Sequence, residues 1–282
     1  MPARPIYGYT MALEHLVSTM NRSDFDFITE KMNCRCDVVT VNQNVSENRE
    51  AFSSDGISIL AVSTPEKGLS NSRNKLLDNA RGDIEILGDD DLTYREGYQE
   101  IVTRAYESHP DADIIVFQYA KPPTVDRPHN PVMKEEGRVD WLHVSRVRSV
   151  EVTLKRKSIE QAGLRFDNDF GLGSEYQTGE ENIFIADALR AGLKVYYFPA
   201  IICTTPPTPE ERKKFAEGFT PSFFKCKGAC FYRIYKNKYR FFAIAYLLNK
   251  RKTVLKNISF FSALKYMDSG RKEYIAAEKR KK

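Results

Sequence analysis

The segment that most constrains the fold runs from residue 68 to residue 94 and reads GLSNSRNKLLDNARGDIEILGDDDLTY. Apolar residues at helical spacing, with Ser70 as a candidate N-cap, predict a helix that Gly82 ends. The short apolar run 84–87 then predicts a buried strand. A helix followed at once by such a strand is typical of an α/β sheet.

This strand ends on three consecutive aspartates, Asp89, Asp90 and Asp91. Carboxylates this close repel one another, and a hard divalent cation with oxygen ligands relieves the repulsion. Ligands of open α/β sheets also bind outside the carboxyl ends of the strands. The pattern therefore predicts a metal and diphosphate site, with an Asp-rich turn before a helix near Tyr94 as the alternative.

Apolar runs elsewhere in the chain predict the other strands. They cover residues 13–17, 36–41, 57–62, 113–119, 150–155, 194–198 and 201–204. Helical patterns alternate with most of them, so we expect a Rossmann-like, mostly parallel sheet flanked by helices. The segment 120–138 is predicted to be a long loop that could cover an acceptor site.

A second motif, TGEENIFIADALRAGLKVYYFP, begins at Thr178. Thr178 is a candidate cap for a helix that starts with Glu180 and Glu181. Acidic residues are favoured in a first helical turn by the helix dipole, so simple capping would explain them. The alternative is a general base held at the start of the helix.

Together the two motifs resemble those of family 2 glycosyltransferases with the GT-A fold. The first is similar to the family's glycine-serine-arginine-asparagine helix and Asp-x-Asp strand, and the second to its Gly-Glu-Asp motif. The resemblance covers residues 11–205. It implies inverting transfer of a hexosyl or N-acetylhexosaminyl group from a nucleotide-sugar to a hydroxyl of a glycan or lipid-linked acceptor, with a UDP-sugar as the expected donor. Synthesis of a bacterial cell-surface polysaccharide (capsule, lipopolysaccharide or exopolysaccharide) is the implied setting.

The resemblance also implies roles for the residues of the first motif. Asp91 and Asp89 would hold Mn²⁺ or Mg²⁺, and Asp90 would contact the ribose or the donor sugar. Arg73 and Asn74 would bind the nucleotide end, because a guanidinium matches the geometry of a diphosphate. The alternative for Arg73 is a surface arginine on a solvated helix face.

The first two strands are expected to end near the donor base. Thr19 and Asn21 match the family's first turn loosely, whereas the second strand ends in Asn42 and Gln43 without the family's acidic residue. Amides can still bind a pyrimidine edge through donor and acceptor pairs. All four residues are therefore candidates for nucleotide contacts.

In the second motif Glu181 replaces the family's aspartate. Glu181 is our candidate for the base, with Glu180 as the alternative. Trp141, the only tryptophan, and His143 are candidates for the acceptor site. A lone tryptophan in the hydrophobic core is the alternative.

The chain divides by charge near a proline cluster at Pro206, Pro207 and Pro209. Residues 206–282 carry 20 basic and 6 acidic residues, a net charge of +14, whereas residues 1–205 carry 23 and 32, a net charge of −9. We therefore predict a catalytic domain at 11–205 and a basic, aromatic-rich helical extension at 206–282. The extension suits a membrane surface. Packing on the catalytic body and nucleic-acid binding are the alternatives, and we expect no nucleic-acid partner.

The sequence shows no secretory leader, no apolar run near 20 residues and an odd number of cysteines, five. This favours a cytoplasmic protein, peripheral on the inner face of the cell membrane, with free thiols.

Two other classes of function remain open. A metal-dependent nucleotidyltransferase would need a basic residue in a glycine-rich loop after the first strand, which the chain lacks. A non-catalytic membrane scaffold would bind no nucleotide.

Overall fold

The computed structural model describes residues 11–206 and 219–281. The strands are β1 (Leu13–Met20), β2 (Asp37–Gln43), β3 (Asn48–Ser54), β4 (Ile57–Thr64), β5 (Ile84–Asp89), β6 (Thr93–Tyr94), β7 (Ile114–Lys121), β8 (Thr124–Pro128), β9 (Gly137–Arg138), β10 (Val152–Lys155) and β11 (Val195–Thr204). The helices are α1 (Phe27–Glu30), α2 (Leu69–Asn79), α3 (Tyr98–Ser108), α4 (Arg156–Gln161), α5 (Glu180–Arg190), α6 (Pro221–Tyr235), α7 (Tyr239–Asn249), α8 (Arg251–Val254) and α9 (Phe260–Arg280).

The strands form one sheet in the order β3-β4-β2-β1-β5-β10-β7-β11-β6, with β8 beside β7 and β9 beside β11. β4, β2, β1 and β5 are parallel neighbours, as are β7 and β11. β10 lies antiparallel between β5 and β7. The prediction of an α/β fold with a mostly parallel central sheet and flanking helices is confirmed.

The register of β1 decides where the site can form. Thr19 lies opposite Asn42 of β2, and Ser18 lies opposite Asp89 of β5. Because parallel strands end at the same edge of a sheet, the polar turns that follow β1, β2 and β5 meet there.

The sheet is buried on both faces. Leu16 belongs to the hydrophobic core on the face covered by α2 and α5, and its neighbour Val17 belongs to the core on the face covered by α3. This alternation follows from the two-residue period of a strand. Continuous apolar runs in the sequence are therefore the correct signal for these strands.

The structure corrects several local predictions. β3 was not predicted, because its side chains are mostly exposed and give no apolar pattern. The segment 120–138 contains β8 and β9, and residues 195–204 form one strand, β11, with register shifts instead of two strands.

Neither predicted helix cap is correct. Glycines at positive φ, Gly68 and Gly179, occupy the two N-cap positions. Ser70 lies inside α2, and its hydroxyl donates to the Phe170 carbonyl at 2.6 Å.

The extension contributes to the same hydrophobic core as the sheet. Phe224, Cys230 and Ile234 of α6 are buried in the cluster that contains Ile183 and Phe184 of α5. The packing alternative is therefore correct for this face of α6. The domain division at residue 206 stays a prediction, and Pro207 and Pro209 lie outside the described residues.

Two glycines allow α6 and α9 to approach closely. A Cβ atom on Gly228 would lie 1.9 Å from the Met267 carbonyl oxygen, and one on Gly270 would lie 2.0 Å from the Lys225 carbonyl oxygen. The two helix backbones are therefore in direct contact.

Over residues 11–206 and 219–281, no helix has both the length and the apolar character required to cross a bilayer. All five cysteines are free thiols.

Candidate active site

The first part of the site joins the end of β1 to the acidic end of β5. The Thr19 hydroxyl donates to Asp90 Oδ2 at 2.5 Å, and Arg22 donates to the same oxygen from Nη2 at 2.9 Å. Asn21 has a φ of 54°, a left-handed conformation that asparagine tolerates. The turn it makes brings Arg22 back onto Asp90.

Asn42 and Gln43 hold the neighbouring backbone in place. Asn42 accepts from the Arg22 backbone N–H at 3.1 Å and donates to the Arg22 carbonyl at 2.9 Å. The Gln43 side-chain oxygen accepts from the Gly68 N–H at 2.9 Å. The two amides therefore tie the turn after β1 and the start of α2 to the end of β2.

Arg73 is the central residue of the site. It is only 2% exposed, so the surface-arginine alternative is wrong. Its Nη1 donates to Glu180 at 2.8 Å and its Nη2 to Asp89 at 3.2 Å. Burial alone would lower the pKa of Arg73, but the charges of Asp89 and Glu180 outweigh this and raise it. The two sequence motifs thus meet through one buried cation.

The side chain of Asn74 bonds to the segment 166–168 of the protein. Its side chain accepts from the Phe166 N–H at 2.8 Å and donates to the Phe166 carbonyl at 2.9 Å and to Asn168 at 3.0 Å. These bonds hold the segment 166–168 against α2. The nucleotide contact of Asn74 stays a prediction.

A glycine-containing loop follows that segment and packs on the start of α2. A Cβ atom on Gly171 would lie 3.2 Å from Ser70 Oγ and 3.3 Å from the Glu180 side chain. A Cβ atom on Gly173 would lie 3.2 Å from the Gly68 Cα. Small residues in this loop therefore keep the starts of α2 and α5 close together.

Glu180 and Glu181 begin α5 but have different environments. Glu180 is buried against Arg73, whereas Glu181 is half-buried. Burial, and next the negative charge of Glu180, raise the pKa of Glu181 to about 7, although Lys227 and Arg73 oppose the shift. A carboxylate whose pKa lies near the working pH is suited to general base catalysis.

The extension contacts this helix start directly. A Cβ atom on Gly179 would lie 2.4 Å from Cys230 Sγ of α6. Lys227 lies one helical turn before Cys230. Burial lowers the pKa of Lys227, but the charges of Cys230 and Tyr246, and next those of Glu181 and Glu180, outweigh burial and raise it. The positively charged Lys227 side chain of the extension therefore lies near the two glutamates.

The acidic strand end has the chemistry required for a divalent cation. Asp89 presents one oxygen to Arg73 and is partly exposed, and Asp91 is exposed. No cluster of three metal-ligating side chains occurs in the part of the chain that the structure describes. Mg²⁺ is commonly held by one or two carboxylates together with substrate phosphates. Asp89 and Asp91 fit a cation that is shared with a diphosphate.

The two acceptor candidates lie beside the extension. Trp141 is 38% exposed, so the core alternative is wrong, and the Arg190 guanidinium lies 5.2 Å from its ring centre. His143 Nδ1 is 2.7 Å from Asp140 Oδ1. Trp141 shares a groove with Tyr235 and Phe242 of the extension.

Two residues of the site, Arg22 and Lys227, are not among those predicted from the sequence. Arg22 directly follows the predicted Thr19–Asn21 turn, so a basic residue at that place was an available signal. Lys227 had no such signal, because only the packing of α6 on α5 brings it to the glutamates.

Solved structures share this architecture. TarS from S. aureus matches with a TM-score of 0.57 at 13% identity, over 88% of this chain and 45% of the TarS chain. TarS 1–349 in complex with UDP-GlcNAc matches with a TM-score of 0.56 at 11% identity, over 95% of this chain and 92% of that chain. The mannosyltransferase PcManGT from Pyrobaculum calidifontis, in complex with GDP-Man and Mn²⁺, matches with a TM-score of 0.53 at 15% identity, over 95% of this chain and 76% of that chain.

The chain shares the fold of these solved structures. The likeness stands at the level of the fold, and this chain spans less than half of the full TarS chain. No family model and no curated protein matches the sequence.

Proposed function

We propose that the protein is an inverting, metal-dependent glycosyltransferase of family 2 type. It would transfer a hexosyl or N-acetylhexosaminyl group from a nucleotide-sugar to a hydroxyl of a glycan or lipid-linked acceptor. The observation that carries the proposal is Arg73, which joins the acidic strand end at Asp89 to the glutamates that begin α5. This arrangement supports the proposal, because a diphosphate bound at the acidic strand end would lie beside a candidate base.

The donor would lie along the carboxyl edge of β1, β2 and β5. Asp89 and Asp91 would hold Mn²⁺ or Mg²⁺, which neutralises charge on the diphosphate when bound. Asp90, held by Thr19 and Arg22, would face the ribose or the donor sugar. Neighbours of the same fold are complexes with UDP-GlcNAc and with GDP-Man and Mn²⁺, so UDP-GlcNAc is the first donor to test.

Glu181 would act as the base. The acceptor oxygen attacks the anomeric carbon and passes its proton to the Glu181 carboxylate. The bond between the anomeric carbon and the diphosphate oxygen breaks, and the nucleoside diphosphate leaves with the electron pair. Glu180 would not take the proton, because its carboxylate is committed to Arg73 at 2.8 Å. Attack opposite the leaving group inverts the configuration.

Trp141 lies against Arg190, the last residue of α5, about 13 Å along that helix from Glu181. Trp141 and His143 would therefore contact only a distal part of a long acceptor. An indole with an exposed face can stack on a sugar ring. We place the enzyme at the cytoplasmic face of the cell membrane, where it would extend a lipid-linked glycan of a cell-surface polysaccharide.

The proposal is tested by release of UDP from UDP-GlcNAc, with and without Mn²⁺. Donor hydrolysis needs no knowledge of the acceptor. The expected result is metal-dependent release of UDP that Glu181→Gln slows by about 10²–10⁴-fold while UDP binding remains. Binding of a nucleoside triphosphate with release of pyrophosphate would favour a nucleotidyltransferase. A protein that binds no nucleotide would favour a scaffold.

A further inference from the structure

Helix α7 has one face in the core and one face in solvent. Tyr239, Ala243 and Leu247 are buried, whereas Phe241 is 67% and Leu248 is 53% exposed. Ile244 lies between these two and is also exposed. Residues 241, 244 and 248 recur at helical spacing, so they form one apolar stripe along the outer face of the helix.

The stripe continues onto neighbouring elements. Phe261, in the first turn of α9, is 81% exposed and lines the same groove as Ile244. On the other side, the exposed Leu142 shares a groove with Phe242, whose ring centre lies 5.3 Å from that of Phe241. We call Leu142, Phe241, Ile244, Leu248 and Phe261 the outer apolar face. Contiguous exposed apolar surface of this kind marks an interaction site.

The surroundings of the outer apolar face are basic. Between Glu217 and Asp268 the sequence has eleven basic residues and no acidic one. Lys238, Arg240, Lys252 and Lys265 are exposed near the face. Exposed apolar side chains surrounded by positive charge fit an anionic partner that also has an apolar layer.

Like charges also gather at the end of α7. Burial, and next the positive charges of Arg148 and Arg146, lower the pKa of Lys250. Repulsion of this kind is relieved by an anion held between the cations. Arg146 and Arg148 of the body therefore lie close enough to Lys250 to add positive charge at this end of α7.

We infer that the outer apolar face is a docking surface for an anionic lipid bilayer. Phe241, Ile244 and Leu248 would enter the interface while the flanking lysines and arginines contact lipid phosphates. A second copy of this chain would bring the same sign of charge to the face, which opposes self-association. Nucleic acid supplies phosphates but no apolar layer in which Phe241, Ile244 and Leu248 could be buried.

The role of this surface rests on the proposed function, because a lipid-linked acceptor is carried on such a bilayer. The surface itself is tested separately, by flotation of the full chain with phosphatidylcholine vesicles that contain phosphatidylglycerol. Pure phosphatidylcholine vesicles are the comparison. The expected result is binding to the anionic vesicles that weakens as the salt concentration rises.

Matched variants identify the face. Phe241→Ser/Leu248→Ser should weaken vesicle binding by about tenfold or more, since two apolar side chains leave the interface. The control Val45→Ser/Val125→Ser removes exposed apolar side chains from the body and should leave binding unchanged. Lys238→Gln/Arg240→Gln should weaken binding to anionic vesicles only.

Three results would overturn the inference. The wild type could fail to bind anionic vesicles, the Phe241→Ser/Leu248→Ser variant could bind as the wild type does, or that variant could convert a dimer into a monomer. UDP binding by the same samples separates the two proposals. A variant that loses vesicle binding and keeps UDP binding supports the docking surface. A wild type that binds the anionic vesicles but binds neither UDP nor any other nucleotide would refute the proposed function alone.

Discussion

The Arg73 guanidinium lies 2.8 Å from the Glu180 carboxylate, a residue 107 positions further along the chain. Both side chains are buried, and Arg73 also reaches Asp89. Removing one partner of a buried ion pair leaves an uncompensated charge, which is costlier than the pair itself. This contact therefore couples the stability of the fold to the geometry of the site.

Arg73→Met is expected to lower the free energy of unfolding by about 3–5 kcal/mol, because Glu180 loses its buried partner. Urea denaturation followed by circular dichroism measures the change. The control is Arg165→Met, which removes an exposed ion pair with Asp78 and should cost no more than about 1 kcal/mol. Equal losses in the two variants would contradict a buried, structural role of Arg73.

Glu181 predicts the pH dependence of the reaction. The base must be deprotonated, so the rate should rise with pH through about 7 and be lost as the pH falls below it. Glu181→Gln should reduce turnover by about 10²–10⁴-fold. Donor hydrolysis measured from pH 5 to 9 tests both statements, and a flat profile in the wild type would argue against Glu181 as the base.

Lys227 should set the pH at which the rate of the reaction falls on the acidic side of its profile, which we call the acidic limb. Its positive charge favours the ionised form of Glu181, so Lys227→Met should move the limb to higher pH by about one unit. The control Lys225→Met lies on the same helix and pairs with Glu273, away from the glutamates. A shift in the control as large as that in Lys227→Met would show that the effect is not local.

The core of the sheet carries a second pH-dependent group. Burial, and next the charge of Glu14, raise the pKa of Glu85 to about 10, above the usual value of 4.5. The folded state therefore binds a proton that the unfolded state releases, and stability is lost as the pH rises from about 4.5 towards 10. Glu85→Gln cannot ionise, so it should be more stable than the wild type at pH 8 and show little difference near pH 4. Urea denaturation at both pH values tests this, and an equal difference at the two would contradict it.

The crossing of α6 and α9 predicts a steric effect. In Gly228→Ala the new Cβ would lie 1.9 Å from the Met267 carbonyl oxygen, which belongs to a helix backbone and cannot move alone. We expect a loss of about 3 kcal/mol of stability. In the control, Gly137→Ala, the nearest atom would be 3.6 Å away, an ordinary contact. Melting temperatures compare the two, and a Gly228→Ala variant as stable as the control would contradict the close approach.

Much of the fold could be predicted from the sequence because the strands are buried on both faces. Runs such as Ile114–Phe117 are continuous, apolar and fully buried. β3 could not be predicted, since its side chains mostly face solvent and leave no pattern. The two helix caps were predicted wrongly because Gly68 and Gly179 are required by backbone conformation and, at Gly179, by contact with Cys230.

The candidate site was predictable in its residue types but not in its contacts. The acidic strand end and the Glu180–Glu181 helix start are local patterns, and parallel strands place the first of them at a ligand-binding edge. The pairing of Arg73 with Glu180 spans 107 residues and depends on how α2 and α5 pack. The outer apolar face had the same limitation, because aromatic residues at helical spacing do not indicate which face of α7 is buried.

The most direct test of a nucleotide-sugar site at the acidic strand end is calorimetric titration of UDP with and without Mn²⁺. The wild type is predicted to bind UDP in a metal-dependent way, and Asp91→Ala is predicted to lose that dependence together with most of the affinity. Asp126→Ala removes an exposed aspartate of β8 and should bind as the wild type does. A wild type that ignores UDP under both conditions, or an Asp91→Ala variant that binds unchanged, would contradict the account.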